Sequence, residues 1–366
     1  MKKKKVLIIP NSGLTKIKED FYVDERTGKF ALELQNLGNK VIFFGQAVKV
    51  DTIIHTFKLK ENGIEVISLD RKKNKLLNYI CLYIKSLKPI FSADYIYIFY
   101  PNALKFTGLE AILLRKRYGL YIRGMNHLKG KFSRILYKNS DAVFTVSNFF
   151  TAYVNKVVGK NIAETIRPMI ALTNKDIIRD RVYNAKHQYK LLYLGRITKE
   201  KGLYELLEAI NELKSDGINL QLKIVGDGDE INSLKKTCRQ LNLLDTVSFE
   251  GPCYDQRLIV KYYLNADIYI LPTYSEGFPR TLYEAMVYGT PIVTTFVGGI
   301  PSIMKNEFNC LEIIPQSAKS IVDVVKRLIT NYSQVIGYTK NATTTIERIL
   351  DTNKLTHAQA LNKRIN

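Results

Sequence analysis

Two carboxylates flank the start of a predicted helix in "YSEGFPRTLYEAMVYGTPIVTT", which runs from Tyr274 to Thr295. Pro279 suits the first turn of a helix, because its φ angle is already helical and its missing N–H would have no partner there. The pattern predicts a helix over Pro279–Tyr288 and a short buried strand at Ile292–Thr295. Glu276 then precedes the helix, and Glu284 lies about 7–8 Å along its axis. Both carboxylates could line one cleft, with helix N-terminal N–H groups between them.

Two cations follow another predicted strand, in "LLYLGRITKEKGLYELLEAI" (Leu191–Ile210). Arg196 stands at the carboxyl end of the strand and Lys201 at the opening of the next helix. Ligands of open α/β sheets collect at that edge. Two cations beside a helix N-terminus could hold a diphosphate without a metal ion. Taken alone, the same residues could form an ordinary charged loop.

The segment "VGDGDE" (Val225–Glu230) has two interpretations. Gly226 and Gly228 could begin a dinucleotide-binding fingerprint, but Ile231 stands where the third glycine belongs. Asp227 and Asp229 form a DxD pair of the kind that carries Mg²⁺ in some nucleotide-sugar enzymes. A tight turn between a strand and a helix explains the segment more simply, so no metal site is expected.

Other catalytic motifs are absent from the sequence. HExxH, GxSxG and GxxxxGK[ST] do not occur, which removes the motif support for zinc proteases, serine hydrolases and P-loop ATPases. His127 follows a predicted strand near the expected interdomain cleft, although an ordinary surface histidine is the simpler explanation. The four cysteines form no CxxC pair, and we expect reduced thiols.

Strand-like runs alternate with helical patterns along the chain, and the alternation restarts near Tyr189. This pattern predicts two α/β domains, each a doubly wound parallel sheet. We expect a first domain at 1–173, a linker at 174–188 and a second domain at 189–342. A helical tail at 343–366, with a helix at Thr343–Leu350, could cross back to the first domain.

Positive charge is concentrated in the first half of the chain, within a net charge of +21. Residues 1–187 hold 34 Lys and Arg against 15 Asp and Glu, whereas residues 188–366 hold 21 against 19. The basic residues lie beside apolar ones at Asp70–Lys88, Arg115–Gly124 and Lys129–Lys138. Such a surface suits an anionic membrane, with nucleic acid as the competing partner and a solvated face as the alternative. No apolar run is long enough for a membrane span, and the segment Val6–Ile9 is too short for a signal peptide.

The second half resembles glycosyltransferase family 4, the retaining group 1 enzymes that use nucleotide sugars. The matching motifs appear in the family's order within Leu191–Pro301: "GRITKEKG", "IVGDGDE", "VSFEG", "ADIYILPTYSEGFPRTLYEAMVYGTPIVTT" and "VGGIP". The resemblance implies the GT-B fold, with two facing Rossmann-like domains and an active site in the cleft between them. The first domain would bind the acceptor and the second the nucleotide-sugar donor.

The resemblance also implies roles for individual positions. Arg196 and Lys201 would bind the donor diphosphate and stabilise the leaving group, in place of a metal. Glu276 would hold sugar hydroxyls, and Glu284 the ribose hydroxyls. Further donor contacts would come from Gly226, Gly277, Phe278, Pro279, Thr281 and Leu282.

The first domain departs from the family pattern. The family's Gly-Gly loop after the first strand is replaced by Pro10–Lys29, in which only Gly13 is close to that position. The family's acceptor-side histidine would fall around Arg123–His127, so Gly13, Arg123 and His127 are the acceptor-side candidates. Near the end of the second domain, Cys310 follows Asn309 where the family has Asn-Gly.

The sequence thus predicts a cytoplasmic, membrane-peripheral glycosyltransferase that is retaining, needs no metal or other cofactor and does not bind nucleic acid. It would move a sugar from a UDP- or GDP-sugar to a glycan or lipid-linked acceptor in surface polysaccharide biosynthesis. The alternatives are a GT-B nucleotide-sugar epimerase and a basic nucleic-acid-binding protein on the same fold. Turnover without an acceptor would distinguish the epimerase, and steep salt-dependent DNA or RNA binding the nucleic-acid protein.

Overall fold

The chain divides into two compact units, one made of Met1–Ala171 and Thr352–Asn366 and the other of Leu172–Asp351. The computed structural model describes residues 3–11, 13–50, 55–101, 104–124, 128–351 and 355–366. Both units are α/β, with the parallel sheets that the alternation of strands and helices predicts. The first division falls two residues before the predicted boundary at 173, and the second falls nine residues after the predicted start of the tail at 343.

The first unit is built on a ten-stranded sheet. Its strands are β1 (Lys5–Ile9), β2 (Leu14–Ile17), β3 (Asp20–Val23), β4 (Lys40–Lys49), β5 (Phe57–Lys58), β6 (Glu65–Asp70), β7 (Tyr95–Tyr100), β8 (Tyr118–Ile122), β9 (Ala142–Thr145) and β10 (Ala163–Thr165). Its helices before the second unit are α1 (Glu25–Asn36), α2 (Lys75–Ser92), α3 (Thr107–Leu113), α4 (Lys131–Asn139) and α5 (Asn148–Val158).

The strands of this sheet lie in the order β10-β9-β8-β7-β1-β4-β2-β3-β5, and β6 also pairs with β4. All described pairings are parallel except β2 with β3 and β3 with β5. Side chains of β1 alternate between two cores, so that Val6 and Ile8 face one helical layer while Leu7 and Ile9 face the other. Burial on both faces explains why the central strands read as continuous apolar runs.

A hairpin occupies part of the segment Pro10–Lys29 that the sequence assigned to a loop. Strands β2 and β3 pair through Lys16 and Phe21, and β2 joins the sheet edge beside β4. Helix α1 follows β3 directly. Asp24 accepts a hydrogen bond from the Thr27 N–H at 3.3 Å, which caps the first turn of α1.

The second unit has a six-stranded, wholly parallel sheet in the order β13-β12-β11-β14-β15-β16. The strands are β11 (Tyr189–Leu194), β12 (Leu220–Val225), β13 (Val247–Gly251), β14 (Ile268–Leu271), β15 (Ile292–Thr295) and β16 (Leu311–Ile313). The helices are α6 (Leu203–Ser215), α7 (Ile231–Gln240), α8 (Gln256–Asn265), α9 (Arg280–Val287), α10 (Ala318–Thr330) and α11 (Val335–Ile349).

The predicted linker at 174–188 belongs to the second unit. Arg181 donates to the carbonyl oxygen of Tyr263 at 3.0 Å and to that of Tyr288 at 3.1 Å, and it also bonds to the carbonyl of Ala266. A polar composition suggested a free connection, but this guanidinium satisfies carbonyl groups at the ends of helices α8 and α9. The segment is therefore packed against its own unit.

A late helix, α12 (His357–Ile365), completes the first unit. Ala358 and Leu361 are fully buried in the same core as Phe30 and Phe43. The predicted helix at Thr343–Leu350 is instead the second half of α11, which lies in the second unit. The helix that lies in the first unit is α12.

Candidate active site

The carboxyl edge of the second sheet carries all the residues predicted to bind the donor. Strand β11 lies between β12 and β14. Strands β12 and β13 are therefore added on one side of β11, and strands β14, β15 and β16 on the other. Such a switch in strand order leaves a crevice beyond the carboxyl ends, where ligands of open α/β sheets bind. The loops after β11, β12 and β14 meet there.

The loops after β11 and β12 are joined along their backbones. Gly195 N–H donates to the Val225 carbonyl at 3.0 Å, and Ile197 N–H donates to that of Asp227 at 2.8 Å. Gly226 has a φ of +147°, and a Cβ atom there would lie 1.8 Å from the Gly195 carbonyl oxygen. Only glycine permits this approach. Gly226 therefore supports the position of the loop that carries Arg196.

The loop after β11 is also joined to the loop after β14. The Glu200 carbonyl accepts from Tyr274 N–H at 2.8 Å and from the Thr273 hydroxyl at 3.0 Å. Gly202 has a φ of +69°, and a Cβ atom there would lie 2.1 Å from the Pro272 carbonyl oxygen. These contacts fix the distance between the two predicted cation positions and the first predicted carboxylate.

Lys201 and Glu276 form an ion pair across these two loops. The Lys201 side chain is only 8% exposed and that of Glu276 only 21% exposed, so water screens the pair weakly. Arg196 stays exposed. Its carbonyl accepts from the buried Tyr193 hydroxyl at 2.6 Å, which fixes the turn of the loop. The structure thus brings together one paired and one exposed cation beside a carboxylate.

Helix α9 follows directly and carries Glu284 at its middle. Pro279 is the residue before the helix rather than its first member, because its ψ of 131° is extended. Glu284 accepts a hydrogen bond from the Tyr263 hydroxyl at 3.0 Å. Burial and the adjacent Glu284 carboxylate raise the pKa of Tyr263 well above its ordinary value, so it remains a donor. Glu284 is therefore held in a fixed orientation.

The remaining donor-site candidates contribute backbone atoms and the shape of the turn before α9. Leu282 is completely buried, so its side chain cannot reach a ligand. The Thr281 carbonyl accepts from the Tyr263 hydroxyl at 3.2 Å. Phe278 packs on Tyr283 with their ring centroids 4.5 Å apart. Gly277 and Pro279 are also buried. This turn is a rigid part of the fold.

The DxD segment forms a turn. Asp227 accepts from Gly228 N–H at 2.8 Å, which closes a short loop before α7. Within the ranges that the structure describes, no group of three or more His, Cys, Asp or Glu side chains is arranged to hold a metal ion.

Two of the acceptor-side candidates, Gly13 and Arg123, lie at the carboxyl edge of the first unit's sheet. Arg123 follows β8, where it lies over the Tyr121 ring at 5.8 Å and donates to Asn11 Oδ1 at 3.5 Å. Gly13 follows β1, and a Cβ atom there would lie 2.5 Å from Val48 Cγ2. His127 lies outside the described residues.

Sequence reasoning missed Asp24, which joins Arg123 at this edge. Burial acts to raise the pKa of Asp24, but the Thr27 hydroxyl and the charges of Arg26 and Arg123 outweigh it, and the pKa is lowered. The signal was present, since an Asp three residues before Thr27 is typical of a helix cap. Tyr263 was also missed, because nothing local in the sequence links it to Glu284, 21 residues further on.

Comparison with known proteins identifies the second unit. Residues 174–345 match the family model of glycosyl transferases group 1. This range includes Arg196, Lys201, Glu276 and Glu284 and covers almost all of the unit. The chain therefore carries a glycosyl transferases group 1 domain.

Curated relatives match part of the chain. The glycosyltransferase MJ1607 of Methanocaldococcus jannaschii is 34% identical over 142 residues, which is 39% of this chain and 36% of that protein. The amylovoran biosynthesis glycosyltransferase AmsK of Erwinia amylovora is 30% identical over 163 residues, 43% of this chain and 40% of AmsK. The match thus spans well under half the length of these relatives.

Solved structures match the whole chain. HepE of Anabaena, crystallised with UDP and glucose, superposes with a TM-score of 0.71 over 99% of this chain and 98% of HepE, at 16% identity. At that identity the likeness shows the fold alone. It confirms the predicted GT-B fold.

Proposed function

We propose that this protein is a retaining, metal-independent glycosyltransferase of family 4. It transfers a sugar from a UDP- or GDP-sugar to a glycan or lipid-linked acceptor in the biosynthesis of a surface polysaccharide such as capsule, O-antigen, lipopolysaccharide or glycolipid. It works in the cytoplasm at the inner face of the cell membrane. The main support is the Lys201–Glu276 ion pair, held beside the exposed Arg196 at the carboxyl edge of a group 1 domain.

The two cations act on the leaving group. As the bond between the sugar C1 and the diphosphate oxygen lengthens, negative charge develops on the diphosphate. Arg196 offers a bidentate fork to that charge, and Lys201 has three N–H donors, so it can keep Glu276 while it binds a phosphate oxygen. Cations that are already in place lower the barrier because they need no reorganisation during the reaction.

The two carboxylates orient the donor. Glu276 accepts hydrogen bonds from hydroxyls of the transferred sugar, and Glu284 from the ribose hydroxyls. The acceptor hydroxyl attacks C1 on the face that the diphosphate leaves and gives its proton to the departing phosphate. The anomeric configuration is then retained. Arg123, with Asp24 beside it, is the candidate contact for the acceptor in the first unit.

Isothermal titration calorimetry with UDP, GDP and ADP in the presence of EDTA tests the donor site. We expect one nucleotide to bind without metal. Arg196→Ala and Glu284→Ala should each weaken this binding at least about tenfold, since each removes a charge-assisted hydrogen bond. Arg327→Ala, which removes an exposed cation of α10 paired with Glu307, should bind like the wild type.

An activity assay then distinguishes the proposed glycosyl transfer from the alternative epimerase reaction. With a matching nucleotide sugar and acceptor, Glu276→Ala should lose transfer, and proton NMR of the product should show the anomeric configuration of the donor. Nucleotide binding by the unaltered protein only when Mg²⁺ is added would contradict the metal-free site. Full transfer by Glu276→Ala would contradict its role, and sugar turnover without an acceptor would indicate an epimerase.

A further inference from the structure

Helix α2 has two apolar faces, although a surface helix ordinarily has one. Its inner face packs into the first unit through Leu82 and Ile90, which are fully buried. The other face carries six large apolar side chains that are 43–70% exposed: Leu76, Leu77, Ile80, Ile84, Leu87 and Phe91. At 3.6 residues per turn, these six positions fall within an arc of about 100°. They form one continuous apolar stripe, which we call the outer face of α2.

The segment that carries the outer face is rich in positive charge. Between Arg71 and Ser92 the sequence has six basic residues and no acidic one. The basic residues are Arg71, Lys72, Lys73, Lys75, Lys85 and Lys88. From the neighbouring segment, the Lys116 ammonium lies 5.1 Å from the centroid of the Phe91 ring.

Neighbouring elements add to this surface. Phe106 is 44% exposed, and the centroid of its ring lies 5.8 Å from that of Tyr83 in α2. The Lys105 ammonium lies over the Phe106 ring. Helix α3 packs against α2 and exposes Leu113 to 81%. An apolar surface of this extent on a stable protein marks a place of contact with another body.

We infer that the outer face of α2 docks onto the surface of an anionic lipid bilayer, with the helix parallel to the membrane. Leucine, isoleucine and phenylalanine side chains enter the boundary between headgroups and acyl chains, and the lysines meet the lipid phosphates. Charge decides against a second copy of this chain as the partner, since two such faces would bring their lysines together. The helix lies on the membrane and does not cross it, because its inner face belongs to the protein core.

This inference identifies which part of the basic half meets the membrane. The Arg115–Gly124 segment, which the sequence suggested as a second anchor, cannot do so through its apolar residues, because Tyr118, Leu120 and Ile122 are buried in β8. In Lys129–Lys138, Leu136 and Tyr137 are buried and Ile135 is 48% exposed, so this segment offers one exposed aliphatic side chain where the outer face of α2 offers six large apolar ones. The inference does not depend on the donor site, because all of its residues belong to the first unit.

Fluorescence offers a direct test, since the chain has no tryptophan. Phe91→Trp places the only indole on the outer face, and Tyr254→Trp places it at a position of the second unit that is 64% exposed. With vesicles of phosphatidylcholine and phosphatidylglycerol, we expect a blue shift for Phe91→Trp and none for Tyr254→Trp. Phosphatidylcholine alone should give a much smaller shift. An unshifted Phe91→Trp spectrum with the anionic vesicles would overturn the inference.

Vesicle co-sedimentation tests the apolar contribution. The triple variant Ile80→Gln/Ile84→Gln/Leu87→Gln should lose at least about tenfold in binding to the anionic vesicles, since it removes three buried contacts with acyl chains. The matched control Val182→Gln/Leu244→Gln/Ile336→Gln, which alters three exposed apolar residues of the second unit, should bind like the wild type. Equal binding by both triple variants would overturn the inference.

Two further measurements distinguish the loss of membrane docking from a failed donor site and from self-association. The thermal shift caused by the nucleotide should be the same in the outer-face variant and the wild type, so a failed donor site and a failed docking surface give different results. Sedimentation velocity should show the same oligomeric state for both proteins. A wild-type dimer that the outer-face variant dissociates would assign this surface to self-association and overturn the lipid assignment.

Discussion

Lys201 and Glu276 are arranged before any ligand binds. Their loops are joined by one backbone hydrogen bond from Tyr274 and one side-chain hydrogen bond from Thr273, both to the Glu200 carbonyl. A cation held in this way loses little conformational entropy when it meets a phosphate. The same arrangement makes each partner costly to remove, because the other would keep its charge in a poorly hydrated position.

We expect Lys201→Met to destabilise the protein by on the order of 2 kcal/mol, since it leaves the Glu276 carboxylate partly buried without its partner. Urea denaturation at neutral pH measures this change. Lys214→Met, which removes the exposed partner of Asp245, is the matched control and should cost less than about 1 kcal/mol.

A double substitution separates charge from packing. Lys201→Met/Glu276→Gln should recover part of the lost stability, because it removes the unpaired charge as well as its partner. If the double variant were as unstable as the sum of both single variants, the ion pair would not be the source of the effect.

At the scale of elements, the site depends on contacts between loops. We expect Gly226→Ala to destabilise the protein by more than about 3 kcal/mol, because the new Cβ atom would overlap the Gly195 carbonyl and force the two loops apart. The melting temperature and nucleotide affinity should both fall.

Gly217→Ala is the control for this prediction. Gly217 has a φ of +77°, but a Cβ atom there would meet no heavy atom within 4 Å, so only the backbone conformation is strained. Its cost should stay near about 1 kcal/mol. Equal losses of stability for the two variants would show that Gly226 is needed for its positive φ and not for the close approach of the loops.

The sequence predicts elements best where both faces are buried. Strand β15, which is fully buried, reads as an apolar run and is found at its predicted bounds, Ile292–Thr295. Strands β2 and β3 escaped notice because they lie at a sheet edge, where charged residues such as Lys16 and Asp20 interrupt the apolar pattern.

The candidate site likewise contains residues that the sequence could predict and partners that it could not. Arg196, Lys201, Glu276 and Glu284 could be selected from motif order along the chain. Their partners could not, because the Tyr263 hydrogen bond to Glu284 and the effect of the Arg123 charge on Asp24 depend on tertiary packing between distant segments. The sequence indicated Asp70–Lys88 as a basic and apolar segment, but not its outer face, since one helix pattern cannot tell which of two apolar stripes the core will cover.

At the scale of the whole molecule, α12 seals the first unit through a buried histidine. His357 is only 4% exposed, and its Nε2 atom lies 2.5 Å from the Tyr97 hydroxyl. The rings of Phe30 and Tyr121 lie with their centroids 4.5 Å from its own. Burial, assisted by the charge of Arg123, lowers the pKa of His357 well below 6.5.

This lowered pKa predicts a dependence of stability on pH. The folded protein keeps His357 neutral, whereas the unfolded chain binds a proton as the pH falls through about 6.5. The contribution to stability is therefore complete above that pH and declines below it, by up to about 1.4 kcal/mol per pH unit. His357→Phe should reduce this slope in urea denaturation measured from neutral to mildly acidic pH.

His187→Gln is the control, because His187 is exposed. It should leave the pH dependence of the wild type unchanged. An undiminished slope in His357→Phe would place the acid sensitivity at other groups, such as the hydrogen-bonded Asp24, whose lowered pKa also makes stability decline as the pH falls.

Because the chain returns to its first unit only at α12, the return affects the order in which the two units can complete their folds during synthesis. A ribosome makes every residue of Leu172–Asp351 before it makes α12. The second unit can therefore complete its fold while the first still lacks Ala358 and Leu361 in its core. The part of the protein that emerges first is the last to be finished, and until then a nascent chain exposes the apolar groove that α12 later fills.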